Sequence, residues 1–546
     1  MARVSVVHAI RPIRGDSMRC LVAALLLASA SASVAQADEP APTASFVLEE
    51  SGIADLQQRM KSGELTAHAI TQLYLDHIAA VDKAGPAINA IIELNPDALR
   101  IADELDAERK SGKVRGPLHG IPILIKDNID TADRMHTTAG SLALADSIAA
   151  QDSTVAANLR NAGAVILGKT NLSEWANFRS THPTSGWSGR GGQTRNPYAL
   201  DRNPCGSSSG TGAAIATNFA AAGVGSETDG SIICPASMNA LVGIKPTLGL
   251  VSRAGIVPIA HSQDTAGPMA RSVADAVALL DAMSGADARD ALSAAGNAHR
   301  GNFARYLDAN ALKGARIGVV RKFAGFNSDV DALLAQNIAA LRSAGAIVVD
   351  PVELPNAGKY DEAELTVLEY EFKHDLDAYL GALPASANAP RSLKELIAFN
   401  EHEKAREMPW FGQELFEKSQ ARGPLTDKSY LAALSRSKKL SGRLGIDAAL
   451  KQHKLDALIA PSAGPAPLTD WVNGDPSYGG GSTSPAAVAG YPDITVPAGF
   501  VHGLPVGLSF FAGAWSEPKL IGFAYAFEQV THARRPPRFL RSIESP

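Results

Sequence analysis

The sequence is poor in cysteine, in clustered basic charge and in long apolar runs. Three cysteines occur among 546 residues and none forms a CxxC pair, so neither a zinc site nor a dense disulfide framework is indicated. The formal net charge is −5 without a basic block, which argues against a nucleic-acid partner. No apolar run reaches the roughly 18 residues of a membrane-spanning helix. The pattern HExxH and carboxylates at metal spacing are absent too, so we expect no metal and no cofactor.

The composition instead indicates a large folded unit. Apolar residues make up 45% of the chain and charged residues 20%, which favours a sizeable core over disorder. Strand-like and helix-like segments alternate, as in the strand–helix–strand pattern of residues 315–349. We therefore predict a single α/β domain whose large mixed sheet is covered by helices on both faces.

The N-terminus has the pattern of a targeting segment. Three arginines precede a short apolar run at residues 21–28, and an Ala-Gln-Ala cleavage pattern ends at position 37. These features predict a signal peptide over residues 1–37, a mature domain over 38–546, and a periplasmic or secreted protein. Met18 is an alternative start, since a complete signal follows it. The competing interpretation is a fraying N-terminal helix.

The chain is organised around two short segments rich in serine and glycine, which we call the first and the second knot. They are GSSSG at residues 206–210 and ETDGS at 227–231, and the segment 211–222 between them consists of small residues. Because alanine is the best helix former, we expect that segment to be a helix with the first knot at its N-terminus. Cys205 and Cys234 flank the knots, and the sequence leaves open whether they are paired.

Several segments match known catalytic or phosphate-binding motifs but lack the secondary structure that each motif requires. Residues 206–210 fit the GxSxG elbow of a Ser-His-Asp hydrolase, but that elbow follows a strand, and residues 196–204 are polar with two prolines. Residues 163–170 fit the phosphate-loop pattern, yet their centre is an apolar strand with no room for exposed amides. The Ser-x-x-Lys matches at Ser435 and Ser516 lie in charged or proline-containing helical stretches.

A lysine ends one of the buried strands. The segment GIPILIKDNID at residues 120–130 places Lys126 directly after apolar neighbours. On local grounds a side chain reaching out to solvent is favoured, because lysine is rarely fully buried.

Three segments together resemble the amidase signature family of Ser-Ser-Lys hydrolases. They are GIPILIKDN, CGSSSGTGAA and GSETDGSIICPAS with VGIKPT following, and the resemblance extends over most of the mature chain. Ser207 and Ser231 also have the family's separation of 24 residues. The resemblance implies Ser231 as nucleophile, Ser207 as a bridging serine after a cis peptide bond, and Lys126 as a buried base. It also implies an oxyanion loop formed by the backbone amides of Thr228, Asp229, Gly230 and Ser231.

Two departures from the family pattern bear on the substrate. Asp229 replaces a frequent glycine, and Ile233 replaces a frequent arginine that can hold a substrate carboxylate in some members. A neutral or peptidic acyl group is therefore expected beside Ile233. The acyl side of the cleft is also expected to involve three tryptophans, for which ordinary packing is an equally good explanation: Trp175, Trp187 and Trp471.

The resemblance is strongest to family members that remove the C-terminal amide of peptides. We accordingly expect an extracytoplasmic amidase that releases ammonia through a Ser acyl-enzyme, acts on a small-molecule or peptide amide, and works as a monomer without membrane or nucleic-acid partners. A broad small-amide or fatty-amide hydrolase is the enzymatic alternative, and an inactive binding protein on the same scaffold is the non-enzymatic one. Secretion argues against a tRNA amidotransferase subunit.

Overall fold

The computed structural model describes residues 46–476 and 480–543, so the predicted signal peptide lies outside the described residues. The strands in this part of the chain are β1 Ile91–Leu94, β2 Pro122–Lys126, β3 Val165–Thr170, β4 Trp187–Ser188, β5 Gly192–Gln193, β6 Ala222–Glu227, β7 Val242–Lys245, β8 Thr265–Ala270, β9 Arg316–Val319, β10 Ile347–Val349, β11 Ala457–Pro461, β12 Asp493–Val501 and β13 Leu504–Phe511.

The α-helices pack around these strands. They are α1 Ile53–Ser62, α2 Ala67–Val81, α3 Ala98–Lys110, α4 Thr154–Asn161, α5 Ser209–Ala216, α6 Ile233–Met238, α7 Val273–Met283, α8 Ser293–Gly296, α9 Ser328–Ser343, α10 Asp361–Ala382, α11 Leu393–His402, α12 Lys404–Glu407, α13 Glu414–Gln420, α14 Lys428–Lys438, α15 Asp447–His453, α16 Thr483–Ala489 and α17 Glu517–Thr531. None of the helices in the described ranges is both long and apolar enough to cross a bilayer.

Eleven of the described strands form one mixed sheet, in the order β1-β3-β2-β6-β8-β7-β12-β13-β11-β9-β10. The predicted α/β domain with a mixed sheet is thereby confirmed. Strand β2 lies between β3 and β6 and is parallel to both. Their carboxyl ends therefore meet at one edge, which is where open α/β sheets place their ligands.

The segment between the two knots is not the single helix that its composition predicts. Helix α5 ends at Ala216, and β6 begins at Ala222 in the middle of the sheet. The chain at residues 208–211 packs so closely on β6 that two positions of the strand have no room for a side chain: a Cβ at Gly223 would lie 2.8 Å from Thr211, and one at Gly225 would lie 2.7 Å from Ser208. Tertiary packing has overridden helix propensity here.

A disulfide bond joins the segments that carry the two knots. Cys205 and Cys234 are paired, with their Cα atoms 6.0 Å apart. The bond connects the residue before the first knot to α6, which follows the second. It resolves the question that the sequence left open.

Candidate active site

The lysine at the end of β2 is fully enclosed. Lys126 has no exposed surface, so the local expectation of a side chain reaching solvent is wrong, and the lysine is buried as the family resemblance implies. Its Nζ lies 2.7 Å from Ser207 Oγ, 2.9 Å from Ser226 Oγ and 3.2 Å from the Ser226 carbonyl oxygen. The edge of the sheet that carries Lys126 and Ser226 thus meets the first serine knot.

Burial changes the acidity of this amine. The charged form of a buried lysine loses its hydration, which lowers the pKa of Lys126 to about 7. The carboxyl groups of Glu227 and Asp264 act in the opposite direction, because negative charge favours the protonated amine. The amine is therefore balanced between its charged and neutral forms near neutral pH, as a general base requires.

Close packing holds Ser207 in place. The peptide bond between Gly206 and Ser207 is cis, and the carbonyl oxygen of Ser207 accepts a hydrogen bond of 3.0 Å from the Ser173 N–H. A Cβ at position 206 would lie 2.1 Å from Ser173 Oγ and 3.0 Å from Ser185 Oγ. Only glycine fits at this approach, which explains the glycine in the first knot.

The second knot forms a tight turn directly after β6. Glu227 Oε2 accepts hydrogen bonds of 2.6 and 3.0 Å from the N–H groups of Ile232 and Ile233. Gly230 has a left-handed φ of 79°, a conformation that favours glycine. No hydrogen bond leads from the N–H groups of residues 228–231 to another described residue. These amides are free to bind an oxyanion.

A backbone contact brings the two knots together. The Ser208 N–H donates a 3.1 Å hydrogen bond to the Ser231 carbonyl oxygen, and the Ser208 hydroxyl donates to the Ser226 carbonyl at 3.1 Å. Ser231 is 7% exposed, whereas Ser207 is fully buried. Of the two predicted serines, Ser231 is the one that a substrate can reach.

Two half-buried carboxyl groups hold the loop that precedes Ser231. Asp264 accepts a hydrogen bond of 2.6 Å from the Thr228 hydroxyl, and burial raises the pKa of Asp264 to about 6. Thr483 at the start of α16 donates a 2.7 Å hydrogen bond to Asp229. Burial also raises the pKa of Asp229. Asp229 thus ties the knot to a distant helix, a contact that a glycine at this position lacks.

A cavity of about 460 Å³ lies beside these residues. Its walls include Asn128, Ser226 and Thr228 from the site itself. The rest of its lining is a mixture of apolar, polar and charged residues. The charged residues among them are Asp130, Glu227, Arg253, His261, Asp264, Arg289, Asp290 and Asp375.

The three predicted tryptophans differ in their burial and in their surroundings. Trp175 is buried in an aromatic and aliphatic cluster, and Trp187 packs edge-on against Phe411 at 5.3 Å between ring centroids. Trp471 is 44% exposed and stacks on Trp410. None of the three predicted tryptophans is in the lining of the cavity described above. Their role in substrate binding stays a prediction.

Ile233 occupies the first position of α6 and is fully buried. Its N–H donates to Glu227. The site therefore has an apolar group where an arginine is frequent in the family that the sequence resembles.

Sequence reasoning missed Ser226, Asn128, Glu227 and Asp264. Ser226 and Glu227 end β6, and they lie beside Lys126 only because β2 and β6 are adjacent. Asn128 follows Lys126 by two residues, so its place in the motif KDN could have singled it out. Asp264 directly precedes β8, and its local sequence gave no reason to assign it a role.

Comparisons with known proteins show which family this chain belongs to. Residues 69–521 match the family model described as Amidase. A probable amidase of Arabidopsis thaliana is 42% identical over 519 residues, which cover 93% of this chain and 95% of that protein. The chain belongs to the amidase signature family, and it is an amidase. The alternative of an inactive binding protein is thereby set aside.

Solved structures show which members of the family this chain resembles in fold and sequence. The native peptide amidase of Stenotrophomonas maltophilia is 53% identical, with a TM-score of 0.86 over 90% of this chain and 99% of that one. A peptide amidase in complex with the competitive inhibitor chymostatin is 54% identical, with a TM-score of 0.87 over 90% of this chain and 100% of that one. The fold is therefore that of the amidase signature structures.

The pH dependence of kcat/KM tests the acidity of Lys126. Because only the neutral amine accepts a proton, kcat/KM should rise with pH through an inflection near 7 and then level off. Glu227→Gln removes a charge that favours protonation, so it should move the inflection to lower pH. The measurement is a pH profile of both proteins; an activity that falls between pH 6 and 8 would contradict this assignment.

Proposed function

We propose that this protein is an extracytoplasmic amidase that removes the C-terminal amide of peptides through a covalent acyl-enzyme on Ser231. The contact between the buried Lys126 amine and Ser207 carries this proposal. A serine hydroxyl is a weak nucleophile until a neighbouring base takes its proton. A buried amine with a pKa of about 7 is such a base at neutral pH.

The partners of Lys126 suggest how the proton moves. A neutral amine has two N–H donors and one lone pair. The carbonyl and hydroxyl oxygens of Ser226 match the two donors, which leaves the lone pair for the Ser207 hydroxyl. Ser207 then gives its proton to Lys126 and takes the proton of Ser231 as that oxygen attacks the amide carbon.

The loop before Ser231 completes the acylation step. Its free N–H groups bind the oxyanion of the tetrahedral intermediate, an interaction that is often the largest single contribution to such catalysis. The proton returns from Lys126 through Ser207 to the amide nitrogen, the C–N bond breaks and ammonia leaves. Water then attacks the ester on Ser231 by the same proton route and releases the free acid.

The cavity favours a peptide over a fatty acyl chain. A long alkyl chain would desolvate the charged groups of the lining without pairing them, which is unfavourable, whereas a peptide offers hydrogen-bonding groups along its length. The buried Ile233 provides no charge for a substrate carboxylate. The similarity to a peptide amidase that chymostatin inhibits competitively supports the same substrate class.

The disulfide supports the proposed compartment. Disulfides form and persist in oxidising environments and are rare in the reducing cytosol. The bond between Cys205 and Cys234 therefore agrees with the signal peptide that residues 1–37 predict.

Intact-mass spectrometry of the protein recovered from its native host tests the compartment. We expect a mature chain that begins at Asp38 and lies outside the cytosol. We also expect it to be lighter by two hydrogens than the same chain after reduction. A full-length chain with two free thiols in the cytosolic fraction would contradict the proposal.

A comparison of three amides tests the substrate class. The purified mature protein should hydrolyse a peptide amide with a higher kcat/KM than a short aliphatic amide or a fatty amide, because only the peptide matches the polar lining of the cavity. Ammonia release measures all three reactions, and the internal bonds of the peptide should remain intact. Equal rates on the three substrates would refute the peptide preference.

Single substitutions test the assigned roles. Lys126→Ala should lower kcat by about 10³-fold or more, and Ser207→Ala should have a smaller effect, because the first removes the base and the second removes only the bridge. A serine-reactive fluorophosphonate should label Ser231 in the wild type and leave Ser231→Ala unlabelled. Full activity of folded Lys126→Ala would rule out the mechanism.

A further inference from the structure

Asn128 uses only one half of its side-chain amide. Its Nδ2 donates a 2.9 Å hydrogen bond to Ser226 Oγ. Its Oδ1 is buried and has no hydrogen-bond partner among the described residues. The residue is 2% exposed and lines the cavity beside the site. An acceptor that has no described partner thus belongs to a residue of the cavity lining, two residues after Lys126.

The buried Asn128 Oδ1 lacks a hydrogen-bond donor within the part of the chain that the structure describes. Leaving a buried acceptor unsatisfied costs free energy, so such groups in native proteins usually have a partner in the protein, in water or in a ligand. A carbonyl oxygen accepts only from N–H or O–H groups. Ser226 holds the other end of the amide, so the plane of the Asn128 side chain is already set.

Hydrogen bonds connect Asn128 to the proposed proton-transfer groups Lys126 and Ser207. A continuous chain of three hydrogen bonds leads from its Nδ2 through Ser226 Oγ and Lys126 Nζ to Ser207 Oγ. Ser207 is the group that returns a proton to the leaving nitrogen in the proposed mechanism. Asn128 and Ser207 are thus the two ends of one hydrogen-bond network, and Asn128 is the end that lines the cavity.

We propose that Asn128 Oδ1 accepts a hydrogen bond from an N–H of the terminal carboxamide of the substrate. This inference rests on the proposed function, because it assigns the bond to the amide that Ser231 attacks. The bond fixes rotation about the C–N axis, so that the nitrogen lone pair of the tetrahedral intermediate faces Ser207. Asn128 itself gains and loses no proton. It selects a carboxamide over an ester, which has no N–H at this position.

A matched pair of substrates tests the proposal. A dipeptide amide and the methyl ester of the same dipeptide share their acyl part and differ in the leaving group. Asn128→Ala should lower kcat/KM for the amide roughly tenfold or more and lower it for the ester by less than about threefold. Asn128→Ser serves as a second variant in case the alanine variant does not fold. Gln151→Ala is the control, because Gln151 lines the same cavity at its exposed side and should leave the amide-to-ester ratio unchanged.

The pH profile separates direct binding from an effect through Lys126. If Asn128 binds the substrate, the amide-to-ester ratio falls while the inflection of kcat/KM stays near its wild-type pH. An unchanged ratio, an equal loss on both substrates, or a changed ratio accompanied by a shifted inflection would each overturn the inference. Failure of the wild type to hydrolyse the peptide amide would instead refute the proposed function, so the two failures are distinguishable.

Discussion

The enclosure of one amine at the end of a buried strand is the constraint on which the rest of the site depends. Lys126 is fully buried, yet lysine is rarely fully buried in proteins. Desolvation lowers its pKa to about 7, and nearby carboxyl groups keep that pKa from falling further. The same burial requires that every N–H of the amine has a partner. The two oxygens of Ser226 meet this requirement for the neutral amine, and the Ser207 hydroxyl contacts the same nitrogen at 2.7 Å.

The surrounding elements follow from this enclosure. Parallel pairing of β2 with β6 brings Ser226 beside Lys126, and the turn after β6 presents free amides next to Ser231. Glu227 closes that turn through two backbone N–H groups. The disulfide between Cys205 and Cys234 links the chain on either side of the two serine knots. Strand pairing, backbone hydrogen bonds and a disulfide thus hold groups whose function requires a defined geometry.

The structure shows what the two residues that depart from the family pattern do. Asp229 accepts a hydrogen bond from Thr483, which anchors the loop to α16. Ile233 is enclosed, so the site offers no cation at that position. The charged lining of the cavity belongs to segments far apart in the chain, including β6, the loop around Asp264 and helix α10. Substrate preference is thus a property of the assembled cavity rather than of any single motif.

Local patterns and short motifs predict the family, the α/β class, the strand that ends at a buried Lys126 and the spacing of Ser207 and Ser231. They could not show that Ser226 lies beside Lys126, that residues 211–222 divide into the end of a helix and the start of a strand, or that the three predicted tryptophans are absent from the lining of the cavity. The physical reason is that burial and contact depend on which strands become neighbours. Lys126 and Ser226 are 100 residues apart in the chain and share a hydrogen bond only because β2 pairs with β6.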